Sequence, residues 1–145
     1  MFKSIVVGTD GSPTATEAVK RAAGLAAGWG AELHLVSAHT PARAKVAVRG
    51  AQVPEAADWA PSPDFKVDAV LDEAASIARA DGAEAKLHAP KGDAADALLQ
   101  VAQREGADLI VVGNRGMTGA RRLLGSVPNA VTHNAGCSVL VIHTQ

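Results

Sequence analysis

At residues 109–116 the chain reads LIVVGNRG, a continuous apolar run followed by two glycines, Gly113 and Gly116. An apolar run without polar alternation indicates a strand covered on both faces, as in parallel sheets. Glycines directly after such a strand let a ligand approach the main chain, so that successive N–H groups can bind one anion. The stretch therefore predicts an α/β sheet with a phosphate-binding loop after one of its strands.

The loop predicted here ends at Gly125 and Ser126, and a helix is predicted to follow over Val127–Asn134. A helix N-terminus offers unpaired N–H groups and roughly half a positive charge from its dipole. The Ser126 hydroxyl can either cap this helix or bond a phosphate oxygen. A strand, a glycine loop and a capped helix in this order favour a nucleotide-binding protein.

Three arginines, Arg115, Arg121 and Arg122, lie in the same loop and could neutralise a polyphosphate. The alternative is that the glycines only form a long turn and that the arginines are solvated. The spacing matches neither a Walker A loop nor Gly-x-Gly-x-x-Gly, so neither a P-loop NTPase nor a standard dinucleotide fold is predicted.

The composition and the apolar pattern argue against several other classes of protein. With 145 residues, 3% aromatic residues, no Tyr and a formal net charge of -1, we expect one domain without a nucleic-acid partner. The start Met1-Phe2-Lys3 does not resemble a secretion signal, and no apolar run is long enough to span a membrane. The single cysteine, Cys137, excludes an internal disulfide and is expected to be a small buried hydrophobe. We therefore predict a cytoplasmic protein without a membrane partner.

Strands and helices alternate along the chain, which predicts a doubly wound parallel sheet. Between residues 40 and 63 the pattern disappears, and we predict a long flexible loop there, either binding a partner through Trp59 or serving as a solvated spacer. Helices are predicted from Pro13 to about Gly28, from Val67 to near Gly82, from an Asp93 cap to Gly106, and over Val127–Asn134. Strands are predicted over Ser4–Gly8, Leu33–Ala38, Ala85–His88, Asp108–Val112 and Ser138–His143.

Ligands in such sheets bind outside the carboxyl ends of the strands, where the strand order reverses. If the first and fourth strands flank that point, the segments Gly8-Thr9-Asp10 and Gly113 onward form one site. Asp10 either faces a ribose or a metal ion, or is a turn residue that bonds its own backbone. No catalytic residue and no metal site is predicted, because the five histidines lack metal-ligand spacing and are expected at the surface or at strand ends.

Several pieces of the chain match one known family together: IVVGTDGS at 5–12, ADLIVVG at 107–113, the glycine loop, GSV at 125–127 and VLVI at 139–142. In these the chain resembles the universal stress protein family, in particular its ATP-binding branch and its actinobacterial members. The resemblance implies one domain over residues 1–145 with helices on both faces of a five-stranded parallel sheet, in the order 3-2-1-4-5. It also implies a homodimer formed through the last strand, Val139–Ile142.

The resemblance assigns roles residue by residue. Thr9 and Asp10 correspond to the family's contacts with the adenosine part, and Gly8 stands where some members have Pro. Ala38 and Val112 correspond to positions that line the base pocket. The phosphate and ribose contacts correspond to Gly113, Gly116, Gly125, Ser126 and Val127, with Arg115 in the same loop. The family pattern is Gly-x2-Gly-x9-Gly-Ser/Thr, whereas here eight residues, Met117 to Leu124, separate Gly116 from Gly125.

The resemblance implies a stress-response regulatory protein that binds ATP, with Mg²⁺ bridging the phosphates. We expect slow or negligible hydrolysis, because nothing in the loop supplies a general base or a water-positioning residue. Cyclic AMP, or AMP, is a rival ligand, since some actinobacterial relatives that bind cyclic AMP share the LLGSVP segment found here at 123–128. The remaining alternatives are a weak ATPase and a dimeric interaction module that binds no nucleotide.

Overall fold

The computed structural model describes residues 1–39, 63–114 and 127–144. Their elements alternate along the chain as predicted. The strands are β1 (Ser4–Gly8), β2 (Glu32–Val36), β3 (Ala85–His88), β4 (Leu109–Asn114) and β5 (Ser138–His143), and the helices are α1 (Pro13–Trp29), α2 (Pro63–Ala80), α3 (Ala94–Arg104) and α4 (Val127–Asn134). The segment 40–62, most of the predicted flexible loop, lies outside the described residues.

The five strands form one parallel sheet in the order β3-β2-β1-β4-β5, which confirms the predicted fold class. The central strand β1 pairs with β2 on one side and with β4 on the other. The strand order therefore reverses between β1 and β4, and their carboxyl ends lie side by side. This is the place where open α/β sheets bind ligands.

Alternate side chains of the buried strands point to opposite faces of the sheet and form two apolar clusters. On one face Val7, Leu35 and Val111 pack with residues of α1 and α2. On the other face Val6 and Ile110 pack with residues of α3 and α4. Helices therefore cover both faces, which explains why the inner strands are apolar without alternation.

Two predicted helix caps are confirmed. The Ser12 hydroxyl accepts a hydrogen bond from the Ala15 N–H at 3.2 Å, and Oδ1 of Asp93 accepts one from the Asp96 N–H at 2.8 Å. Each side chain satisfies one N–H that the first helical turn leaves unpaired. The two helices that pack on opposite sides of β1 therefore begin where the sequence pattern predicted.

Several boundaries differ from the prediction. Strand β2 ends at Val36 and not at Ala38, because Val36 is the last residue of β2 with register partners, namely Gly8 in β1 and His88 in β3. Helix α2 begins at Pro63, before the predicted Val67 and at the edge of the predicted loop, and proline is favoured in a first helical turn. Helix α1 continues to Trp29, where Gly30 ends it in a left-handed conformation with φ of 65°.

Asp108 lies just before β4, although it was predicted to be part of that strand. Its carboxylate accepts hydrogen bonds from the N–H groups of Lys3, at 2.9 and 3.1 Å, and of Ser4, at 3.0 Å. These bonds hold the pKa of the Asp108 carboxyl below its ordinary value, because they favour the charged form. The side chain thus joins the amino ends of β1 and β4.

Among the described residues, no helix is long and apolar enough to cross a bilayer.

Candidate functional site

The candidate site begins at the carboxyl ends of β1 and β4. Val7 is the register partner of Val111, so Gly8 and Val112 follow side by side on the two strands. Thr9 comes next and is buried. Its hydroxyl oxygen accepts a hydrogen bond from the Gly11 N–H at 3.2 Å, which fixes the direction of the chain as it leaves the sheet.

Asp10 lies exposed in the turn between β1 and α1. Its Oδ1 accepts a hydrogen bond from the Ser12 N–H at 2.9 Å, which is the bond expected of a turn residue. Gly11 follows with φ of 81°, a conformation that favours glycine. The turn therefore holds the Asp10 carboxylate at the carboxyl edge of the sheet.

Gly113 belongs to β4 and not to the loop after it, which corrects the prediction that the strand ends at Val112. Gly113 and Asn114 pair with Ile142 and His143 of β5, so the regular hydrogen bonding continues past the apolar run. A Cβ at position 113 would lie 2.7 Å from Cγ2 of Thr14 and 2.9 Å from the Thr14 carbonyl oxygen. Glycine is therefore required here by the packing of α1 on the sheet, whether or not a ligand is bound.

Ala38 and Val112, which the resemblance assigns to the base pocket, lie on one face of the sheet, together with the predicted site residues Gly8 and Val127. Val112 is buried in the apolar cluster beneath α3 and α4, and Ala38 and Val127 pack against the same cluster. Gly8 faces α3 closely, since a Cβ there would lie 3.1 Å from both methyl carbons of Leu98. The structure thus brings these positions, from four separate segments, to one end of one face.

Four of the predicted site residues, Arg115, Gly116, Gly125 and Ser126, lie outside the described residues, as do Arg121 and Arg122. Asn114, at the end of β4, marks where the described chain stops before them. Its carbonyl oxygen accepts hydrogen bonds from the N–H of Thr144, at 3.2 Å, and from the Thr144 hydroxyl, at 2.8 Å. The end of β5 therefore anchors the end of β4.

The prediction that all histidines lie at the surface or at strand ends is wrong for His34. This side chain is fully buried in β2, and its Nδ1 lies 2.9 Å from Nε2 of His88 in β3. Sequence reasoning missed the pair and also missed Thr14 as the neighbour of Gly113. A signal was present for His34, because a lone polar residue between Leu33 and Leu35 in an inner strand requires a buried partner.

Cys137 is half-buried and packs against the cluster beneath α3 and α4. Burial raises the pKa of its thiol, which favours the uncharged form. Within residues 1–39, 63–114 and 127–144 no three His, Cys, Asp or Glu side chains are grouped so that they could hold a metal ion.

Comparison with known proteins identifies the family. The family model described as "Universal stress protein family" matches residues 1–143. The universal stress protein Rv1636 of Mycobacterium tuberculosis H37Rv is 39% identical over 145 residues, which cover 99% of this chain and 97% of that protein. The universal stress protein MJ0531 of Methanocaldococcus jannaschii is 30% identical over 158 residues, covering 98% of this chain and 82% of that one.

The fold is shared with solved structures of the same family. A universal stress protein crystallised in complex with cAMP is 34% identical, with a TM-score of 0.80 and coverage of 99% of this chain and 98% of that one. With its family model, its relatives and its sheet order in agreement, the chain belongs to the universal stress protein family.

Proposed function

We propose that this protein is a stress-response regulatory protein that binds an adenine nucleotide at the carboxyl ends of β1 and β4. The observation that carries the proposal is that the segment Gly8-Thr9-Asp10 leaves β1 beside Val112 of β4, at the point where the strand order reverses. Ala38 and Val127 pack against the apolar cluster that contains Val112, so they add apolar surface on that face of the sheet. A pocket with apolar walls and a few polar groups suits a nucleoside.

Two candidate ligands are each supported by a different observation. Cyclic AMP is supported by the 34% identical family member whose crystal structure contains it. ATP is supported by the glycine pattern, although the segment between Gly116 and Gly125 is one residue shorter than in the ATP-binding branch. For ATP we propose binding with Mg²⁺ and with little or no hydrolysis, so that the bound nucleotide acts as a signal.

Thermal unfolding in the presence of nucleotides tests the proposed function. A ligand at a hundredfold excess over its dissociation constant stabilises the protein by about 2.7 kcal/mol, so cyclic AMP, AMP or ATP with Mg²⁺ should raise the melting temperature. Replacing the exposed Asp10 with Ala should reduce this shift, because that carboxylate lies at the candidate site. Phosphate release from ATP, followed in the same samples, should stay close to the background rate.

The matched control is Asp81→Ala, which removes an exposed carboxylate from the turn after α2, at the opposite end of the sheet. This variant should keep the full shift. If none of the three nucleotides shifts the melting temperature of the unmodified protein, the nucleotide-binding function is wrong and the dimeric interaction module becomes the better explanation. Rapid phosphate release that disappears in Asp10→Ala would instead establish the ATPase alternative.

We further propose that the protein forms a homodimer through β5. This strand lies at the edge of the sheet, and no strand within the described ranges pairs with its outer side. Leu140 and Val141, which are adjacent in this strand, are each 36% exposed. An exposed apolar edge strand favours association, and pairing with a second copy would protect it.

Sedimentation measurements test the dimer. Leu140→Arg should shift the protein from dimer to monomer, since it would place a charge in the proposed interface. Leu87→Arg is the matched control, because Leu87 is 41% exposed on β3 at the opposite edge. A monomeric unmodified protein at micromolar concentration, or equal effects of the two variants, would contradict the assignment to β5.

A further inference from the structure

Three charged or titratable side chains from three elements form a hydrogen-bonded row on one face of the sheet. Nη2 of Arg104, at the end of α3, lies 3.0 Å from Nδ1 of His88. Nε2 of His88 lies 2.9 Å from Nδ1 of His34. The residues are distant in sequence, and none of them belongs to the candidate nucleotide site. We call Arg104, His88 and His34 the imidazole relay.

The donors in the imidazole relay determine the tautomers of both rings. A guanidinium has only donors, so Nδ1 of His88 must be the acceptor. A neutral His88 then carries its proton on Nε2 and donates to Nδ1 of His34. His34 in turn carries its proton on Nε2. All the hydrogen bonds therefore run in one direction, from Arg104 towards His34, with both imidazoles neutral.

The hydrogen bonding is weaker at the His34 end of the imidazole relay. Nε2 of His34 is buried and lies 3.5 Å from Oε2 of Glu32, a distance too long for a well-formed hydrogen bond. Glu32 is itself shared with Lys86, whose Nζ lies 3.4 Å from Oε1 of the same carboxylate. This carboxylate is exposed and already paired with Lys86, so it is a poor acceptor for the proton on Nε2 of His34.

The surroundings of His88 oppose a second proton on its ring. Burial has the largest effect and lowers the pKa of His88. The neighbouring His34 ring has the second largest effect and lowers the pKa further. Glu105 acts in the opposite direction, while Arg104 and Lys86 lower the pKa further. Cations from α3 and β3 thus face the ring. Each cation also lies near a carboxylate that partly balances it, since Nε of Arg104 is 3.4 Å from Oε1 of Glu105 and Lys86 is paired with Glu32.

We propose that the imidazole relay is an acid-sensitive lock between α3 and the β2–β3 side of the sheet. A proton added at Nδ1 of His88 removes the acceptor of Arg104 and places two positive charges in contact. This protonation breaks the row, so acid releases the end of α3 from β3.

The direction of the pH dependence follows from His88. Because its pKa is lower in the folded protein than in the unfolded chain, the unfolded chain binds more protons as the pH falls below about 6.5. The stabilisation is therefore complete above that pH and is lost progressively below it. One such group raises the unfolding equilibrium constant by at most about tenfold for each pH unit.

Urea unfolding at pH 7.5 and pH 5.5 tests the lock. The unmodified protein should show a rise in the unfolding equilibrium constant at the lower pH, and His88→Gln should lose most of that rise. His133→Gln is the matched control, because it removes an exposed histidine at the end of α4, outside the relay, and it should behave as the unmodified protein does. An unchanged pH dependence in His88→Gln would overturn the proposal.

Nitrogen NMR of the imidazole rings provides a second test that needs no variant. At pH 7.5 the shifts should show the proton on Nε2 in both His34 and His88. A proton on Nδ1 of His88 at this pH would contradict the direction of the relay and would overturn the proposal. This measurement decides the matter even if His88→Gln does not fold, and it is independent of nucleotide binding.

Discussion

Replacing Gly113 with Ala is expected to lower the free energy of unfolding by about 2 to 3 kcal/mol, even without a ligand. The added Cβ would lie 2.7 Å from Cγ2 of Thr14 and 2.9 Å from its carbonyl oxygen. The methyl group can rotate away, but the carbonyl belongs to the first turn of α1, so the helix itself would have to move. Chemical denaturation of the ligand-free protein measures the effect.

Gly24→Ala is the matched control, because Gly24 lies in α1 and a Cβ there meets nothing within 4 Å. That change should stabilise the protein by about 0.5 to 1 kcal/mol, since alanine is the better helix former. Adding Thr14→Ser to Gly113→Ala should recover part of the lost stability by removing Cγ2. If Gly113→Ala is as stable as the unmodified protein, the close approach of α1 does not require glycine.

The second large effect is expected in the sheet, where Leu35→Ala should cost about 3 kcal/mol. Leu35 is fully buried in β2 and belongs to the cluster beneath α1 and α2. Truncation removes apolar contacts and leaves a cavity that the closely packed helices cannot fill. The free energy of unfolding, again from chemical denaturation, measures the loss.

The matched control for Leu35→Ala is Leu87→Ala, on the neighbouring strand β3. Leu87 of β3 is the register partner of Leu35, yet it is 41% exposed because β3 forms the edge of the sheet. Leu87→Ala removes the same atoms and should cost about 1 kcal/mol or less. Equal losses of unfolding free energy in Leu35→Ala and Leu87→Ala would contradict the prediction that burial makes Leu35 the more important of the two residues.

Much of the fold was predictable from local patterns. The boundaries of β1, β3, α4 and β5 agree with the prediction, and the caps at Ser12 and Asp93 are confirmed. These features depend on nearby residues, namely apolar runs and side chains that bond the first turn of a helix. The strand order came from the family resemblance, because local pattern does not determine which strands are neighbours.

Two of the errors in strand boundaries share a cause. Strand β4 continues through Gly113 and Asn114 because β5 supplies partners for them, and glycine in a strand is hard to recognise without the partner strand. Strand β2 stops early because its register partners in β1 and β3 end at Gly8 and His88. In each case the boundary depends on a neighbouring strand that is distant in sequence.

The candidate site was predictable in its position. The segments Gly8-Thr9-Asp10 and Gly113 onward were assigned to one place from the rule for doubly wound sheets, and the structure pairs the two strands from which they continue. The role of Thr14 beside Gly113 was not predictable, since it depends on how closely α1 approaches the sheet.

The sequence by itself determined the alternation of strands and helices, the helix caps and the family, because these are encoded in contiguous runs of residues. Only the tertiary structure decided that Gly113 is needed for the packing of α1 and that His34, His88 and Arg104 form one hydrogen-bonded row. Both depend on distances of about 3 Å between atoms of different elements. Strand register and helix position set such distances, and no local pattern in the chain encodes them.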